Sequence, residues 1–393
     1  MNTLIINAGS SSIKYQLIVM PSERVICSGI VERIGAKDAI LKYKTDTAVH
    51  EKALEIQNHR TGFQRIVELL LDARIGVIKN ADEIEIVGHR VVHGGTTFSD
   101  TTLITQEVKH KIRELSILAP LHNPHNLEGI ILAEDMFPKA KQVAVFDTAF
   151  HQSIPLKAKK YALPNTFYDE HGIQVYGFHG TSHKYVAEKA IDHLQKKDSK
   201  IITVHLGNGC SITAVNQGKS IDHSLGFTPS NGLIMGSRSG DIDHAIIFYL
   251  VDTLGYELKE VKNLLIKKSG MLGLTGFSDL RDIQSEAEKG NPECILALEM
   301  NAYRIKKYIG AYTAALNGLD AIVFTAGIGE NSALLRKLVC ADMDYLGIVL
   351  EHSKNELRSS EVREINSVTS KVKILVIPTN EELEIAKQSF ELT

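Results

Sequence analysis

Short apolar runs broken by glycine set the pattern of this chain. Residues 3–7 form one such run, which stops at Ala8-Gly9 and resumes over 13–19, so the alternation predicts two strands joined by a tight turn. The arrangement recurs near mid-chain: 201–206 reads as a strand, Gly207-Asn208-Gly209 as a turn, and 211–215 as the returning strand. Matching Ser12-Ile13 with Ser211-Ile212 gives an offset of 211 − 12 = 199, close to half of the 393 residues, which points to duplication of one α/β unit. Between the hairpins, 84–92 and 142–146 read as strands, and 62–71 and 126–136 as amphipathic helices. Further on, Asn291-Pro292 is a cap and first turn for a long helix. Leu298, Ala302, Ile305, Ile309, Tyr312 and Leu316 then fall on one face, and Asn317-Gly318 ends it. A buried strand at 321–325, a glycine turn, a helix from about Asn331, a strand at 372–377 and a terminal helix complete the prediction. The pattern is α/β in two domains, 1–149 and 150–382, with 383–393 packing back on the first. With no low-complexity linker, the halves are expected to meet across a cleft.

Composition narrows the function. Hydrophobic residues make up 44% and charged ones 23%, the balance of a globular protein. A formal net charge of -3 argues against nucleic acid or an anionic membrane as partner, so any phosphate chemistry must rest on local charge. Cys27, Cys210, Cys294 and Cys340 form no C-x-x-C pair and read as inert thiols. Without a basic, apolar leader or a run approaching the ~20 residues of a membrane span, the chain reads as cytoplasmic.

Candidate chemistry sits in the turns. A glycine- and serine-rich turn between strands offers backbone N–H groups and hydroxyls to phosphate oxygens. The first, 7–14, holds Asn7, Ser10 and Ser12 and adds Lys14 as a point charge; taken alone it is an ordinary hairpin, but its repetition weakens that reading. The stretch 325–331 (TAGIGEN) follows a strand and opens a helix, a place for a nucleotide's ribose or phosphates. Arg90, before a Gly-Gly bend, and Arg238, among small residues, suit carboxylate or phosphate oxygens; the plainer roles are a strand-end ion pair and a capped turn. Asp147 ends a strand where α/β proteins place ligands, with helix capping as its plainer role. His179 lies between glycines, and His122 sits in a similar segment; either is as readily structural. Glu381, at a helix start, either favours the helix dipole or holds hydrated Mg²⁺.

Read in order, INAGSSSIK, GHRVVHGG, AVFDTAFH, YGFHGTSH, HLGNGCSITAV, MGSRSGDID, LRD, TAGIGEN and PTNEEL span nearly the whole chain, and this set resembles the acetate kinase family. The resemblance implies the duplicated actin-like, ribonuclease H-like ATPase fold with a nucleotide cleft between the domains, ATP/ADP as co-substrate, Mg²⁺ or Mn²⁺, acetate, and a homodimer. It implies a metal site at Asn7 and Glu381, and nucleotide contacts at Lys14, Ser10 and Ser12. Further nucleotide contacts follow at His205, Leu206, Gly207, Asn208 and Gly209, at Asp279, Leu280 and Arg281, and at Gly327, Ile328, Gly329, Glu330 and Asn331. Arg90 matches the substrate carboxylate contact, Asp147 the catalytic aspartate, and His179 and Arg238 the groups stabilising the phosphoryl in transit. Val92, Leu121, Phe178 and Pro229 match the acetyl-methyl pocket, with His122 beside the substrate. His244 stands where the family usually has proline, which bears only on the first turn of a helix.

The implied reaction is reversible transfer of the ATP γ-phosphoryl to acetate. Acetate is ionised at pH 7, so the barrier is anion–anion repulsion rather than proton removal. Direct in-line transfer is favoured over a phosphorylated carboxylate intermediate. Propionate or butyrate as acceptor is an alternative, since one methylene changes discrimination by only ~1–3 kcal/mol. A filament-forming or chaperone ATPase is the alternative from another class.

Overall fold

The computed structural model describes all of residues 1–393, and the chain divides into two compact units, 1–150 with 380–393 and 151–379. Unit 1 holds β1 Asn2–Ala8, β2 Ser12–Val19, β3 Arg24–Glu32, β4 Ala39–Thr45, β5 Val49–Leu54, β6 Ile86–Val91, β7 Thr102–Leu103 and β8 Lys141–Phe146. Unit 2 holds β9 Lys200–Leu206, β10 Cys210–Asn216, β11 Lys219–His223, β12 Ala321–Thr325, β13 Arg363–Glu364 and β14 Lys373–Val376.

The sheets run β5-β4-β3-β2-β1-β6-β8-β7 and β11-β10-β9-β12-β14-β13. Each contains the same kernel. An antiparallel meander (β1–β2–β3; β9–β10–β11) is followed by two strands parallel to its first member (β6 and β8; β12 and β14). The parallel strands need crossovers, and helices supply them. Strand ends place the repeat at 206 − 8 = 198 and 210 − 12 = 198, one residue short of the offset read from Ser12 and Ser211. The slip has a physical cause: small polar residues sit on both sides of each turn, so side-chain type alone does not mark where pairing resumes.

Capping explains several helix starts. Asn291 Oδ1 accepts from the N–H groups of Glu293 and Cys294 at 3.0 and 3.2 Å and opens the helix Pro292–Leu316, whose predicted apolar face is buried throughout. The helix Asn123–Met136 starts three residues before the predicted 126 because Pro124, in its first turn, needs no intrahelical partner for its missing N–H. The stretch expected as a glycine turn before Asn331 is itself a helical turn, Ala326–Asn331, followed by a second helix, Ala333–Cys340, capped by Ser332.

Packing in unit 1 bears on the site through Gly88 in β6. A Cβ there would lie 2.7 Å from Ser389 Oγ and 2.9 Å from Ile385 Cγ2, so the terminal helix Glu381–Leu392 rests directly on this strand's backbone. That contact carries Glu381, the first residue of the helix, to the neighbourhood of Arg90.

Candidate functional site

In unit 1 the chemistry gathers around Arg90. β6 and β8 are parallel neighbours, so the end of one delivers Arg90 and the residue just past the other delivers Asp147. Arg90 Nε donates to Asp147 Oδ1 at 3.0 Å and Nη2 to Oδ2 at 2.5 Å, a bidentate pair with the carboxylate fully buried. Nη1 donates to Asn7 Oδ1 at 3.4 Å, and a Glu381 oxygen lies 3.9 Å from Nε. Three of the five guanidinium N–H groups are thereby engaged, leaving one on each Nη for an incoming anion. Burial opposes the charge of Arg90, yet Asp147 and Glu381 outweigh it and raise its pKa. Burial raises the pKa of Glu381, with Arg90 acting in the opposite sense. Lys14 is held by Glu382 at 2.5 Å, and the Ser10–Ser12 turn closes through Gly9 N–H donating to Ser12 O at 2.8 Å.

The buried amides Asn123 and Asn126 were not singled out in the sequence. Asn126 Oδ1 accepts from Val92 N–H at 3.1 Å while its Nδ2 donates to Ala8 O at 2.8 Å, tying the Arg90 strand to the first turn. Asn123 bonds both backbone groups of His93. His122 is the cap position of that helix, and Leu121 is 63% exposed. Val92 and Leu121 belong to unit 1, Phe178 and Pro229 to unit 2.

In unit 2, a cavity of about 830 Å³ is lined by Gly207, Asn208, Asp279, Leu280, Arg281, Gly327, Ile328 and Asn331, three separate segments of the sequence reading. Ser278, Gln284, Ser332 and Arg358 also line it and had no sequence signal, being single polar residues in irregular or helical surroundings. Asp279 caps the helix Leu280–Glu288 and pairs with Arg281 at 2.6 Å, which brings its carboxyl down to about 2. Gly329 and Glu330 face elsewhere: both carbonyls accept from the buried Arg336, and the Glu330 carboxylate accepts from Thr379 N–H at 3.1 Å.

Beside this cavity, His179 and Arg238 converge on Gly209. A Cβ at Gly209 would lie 3.3 Å from His179 Nε2 and 3.8 Å from Arg238 Nη1. Arg238 donates to Pro229 O at 2.8 Å, and no carboxylate forms an ion pair with it; burial lowers its pKa, with Cys210 acting weakly the other way. His179 is left-handed at φ 55, stacks on His205 with centroids 4.4 Å apart, and meets Ser211 Oγ through Nδ1 at 2.9 Å.

Residues 2–387 match the model of the acetokinase family. An acetate kinase of Flavobacterium johnsoniae is 63% identical over 392 residues, covering 100% of this chain and 99% of its own. The crystal structure of Porphyromonas gingivalis acetate kinase superposes with a TM-score of 0.94 at 43% identity, covering 100% of this chain and 99% of that one. The crystal structure of a propionate kinase from Francisella tularensis gives the same score and identity over 100% of both chains. This chain belongs to the acetokinase family. Acetokinases act on acetate and ATP, and the mixed α/β architecture with two sheets is theirs. No helix of the chain is long and apolar enough to cross a membrane.

Within this acetokinase chain a set of buried histidines holds His179. Phe178 N–H donates to His223 Nε2 at 3.1 Å, and its carbonyl accepts from His151 Nε2 at 2.9 Å, so both backbone groups preceding His179 are fixed by neutral rings. Ser211 Oγ bridges His179 to His183, whose other nitrogen meets Thr203 at 2.7 Å. Burial brings His151 down to about 4 and pushes His183 and His223 well down; His89 and His93 in unit 1 also fall to about 4 by burial. With folded pKa values depressed, the unfolded chain binds more protons between about pH 6.5 and 4. Stability is therefore expected to be intact above about 6.5 and to fall through that window by up to about 1.4 kcal/mol per pH unit for each histidine. Thermal unfolding from pH 7.5 to 4.5 checks it; a flat melting temperature contradicts the neutral assignment.

Proposed function

We propose that this acetokinase transfers the γ-phosphoryl of ATP reversibly to acetate, giving acetyl phosphate and ADP by direct in-line transfer. The observation that carries the reading is Arg90: Asp147 and Asn7 hold it while one N–H on each Nη remains for a carboxylate. Asn7 and Glu381 are hard oxygen donors within reach of the same guanidinium, a set that fits Mg²⁺, which takes one or two protein oxygens and completes its shell with water and phosphate. When bound, Mg²⁺ neutralises phosphate charge. Arg90 orients the acceptor carboxylate, and Asp147 acts through Arg90 by fixing its plane. Arg238, lacking a counter-ion, and His179, aimed by Ser211, stabilise the charge spread over the phosphoryl oxygens in transit. The cavity of Gly207, Asp279 and Ile328 takes the nucleotide.

Acetate is the preferred acceptor in this reading, supported by the 63% identity to an acetate kinase, although one methylene changes discrimination by only ~1–3 kcal/mol. A homodimer, a cytoplasmic location and Mn²⁺ as a substitute metal belong to the same proposal. The test is hydroxamate formation with ATP, hydroxylamine and acetate, propionate or butyrate. The expected order of kcat/KM is acetate, then propionate, then butyrate. A reversed order reassigns the acceptor, and ATP hydrolysis without any acyl phosphate removes the kinase reading.

A further inference from the structure

Unit 1 carries a second group of chemistry-bearing side chains outside the residues considered so far. His59 is the first residue of the helix His59–Leu71, and His125 and Glu128 lie one turn apart on the helix Asn123–Met136. His59 Nδ1 is 3.6 Å and His125 Nδ1 3.9 Å from Glu128 Oε2, and the three ligand atoms lie within 4.8 Å of one another. The two imidazoles stack at 5.3 Å with planes 20° apart. His59 is buried, whereas His125 and Glu128 are partly open to solvent, so an ion has a route in.

The tautomer of His59 sharpens the case. Its Nε2 is 2.7 Å from the carbonyl oxygen of Gly9, which only accepts, so Nε2 carries a proton, and in the neutral ring Nδ1 is the nitrogen left to bind an ion. A ring N–H given to a backbone carbonyl is the usual support of a metal-ligating histidine. A ring nitrogen from each histidine and a carboxylate oxygen thus lie together, an arrangement that a shared cation relieves. Tetrahedral Zn²⁺ with bonds of about 2.0–2.2 Å sets neighbouring ligand atoms about 3.3–3.6 Å apart, so the Glu128 contacts require a closure of only a few tenths of an ångström. Two nitrogens and one oxygen select a borderline-soft ion over Mg²⁺, which prefers oxygen.

We propose that His59, His125 and Glu128 form a binding site for a first-row transition-metal dication of the Zn²⁺ class, with a fourth position for water. The site is tied through His59 to the carbonyl of Gly9, so occupancy stiffens the first glycine–serine turn.

Full-length chain stripped with chelator is titrated with Co²⁺ and followed by visible absorption. One equivalent is expected to bind with the spectrum of a nitrogen-ligated ion and to be displaced by Zn²⁺. His125→Ala and Glu128→Gln are each expected to weaken binding at least about tenfold, with Mg²⁺-dependent turnover in chelated buffer unchanged within twofold, which also reports that the variants fold. Zn²⁺ is expected to slow amide exchange at residues 9–12 in the parent chain and not in the variants. Absence of Co²⁺ absorption overturns the site. So does wild-type affinity in both variants, which would place the ion on other ligands. Unchanged exchange at residues 9–12 overturns the link to the turn.

Discussion

Replacing Arg238 by alanine is expected to lower kcat at least about a hundredfold while ATP still binds, because losing one charge contact made in the transition state costs about 3 kcal/mol. The guanidinium is half-buried and donates to the carbonyl of Pro229, yet no carboxylate neutralises it. Holding a cation in that setting is unfavourable unless an anion arrives to share it. Arg238 lies beside Gly209, whose lack of a side chain leaves room against His179 and Arg238 alike. The cavity proposed for the nucleotide is lined by other segments, so ATP affinity should change little. Arg238→Lys restores the charge without the planar fork and is expected to recover only part of the lost rate. Single-turnover rates with saturating ATP and acetate, together with the dissociation constant for ATP, decide the matter. Near-normal turnover in the alanine variant would remove Arg238 from the chemistry.

The second large effect is expected at the Arg90–Asp147 pair, where stability and activity should separate. Asp147 is 1% exposed and bound bidentately, so Arg90→Ala removes the cation facing a buried carboxylate, at a cost of about 3–5 kcal/mol. Asp147→Ala strands the guanidinium in the same way, relieved in part by Glu381 at 3.9 Å. Removing both charges with Arg90→Leu/Asp147→Leu is expected to return most of the stability, since a well-packed apolar pair avoids the desolvation cost. Activity should not return, because the acceptor carboxylate has then lost its cation. Melting temperatures and acetate kinetics of the two singles and the double measure this. If the double variant recovers turnover along with stability, the pair is only a structural brace, the plainer role considered for Arg90 at the outset.

Much of the local structure was legible because it depends on neighbours in sequence. The face of Pro292–Leu316 follows from the spacing of Leu298, Ala302, Ile305, Ile309, Tyr312 and Leu316, and its start from the amide of Asn291; both depend on residues within a few turns. The shared sheet kernel was visible as two strand–turn–strand patterns, although the strand boundaries put the repeat at 198 rather than 199. The helical turn at Ala326–Asn331 was missed because its glycines favour an open turn, and Ala326 enters it at φ 63. The site was legible only as separate candidates: side-chain type marked Arg90, Asp147, His179 and Arg238 as able to bind anions, but not what each one touches.

By itself, then, the sequence determined the α/β alternation, the buried faces, the caps and the ordered set of motifs that marks the family, since these reside in short-range pattern and in residue chemistry. Tertiary structure alone decided that Asp147, 57 residues from Arg90, takes two of its N–H groups. It also decided that Arg238 has no counter-ion, and that His151 and His223 grip the backbone ahead of His179. Arg358 joins Gly207, Asp279 and Ile328 around one cavity by the same route. Pairing, burial and protonation depend on which distant groups a fold brings within a few ångströms, and no local pattern encodes that distance.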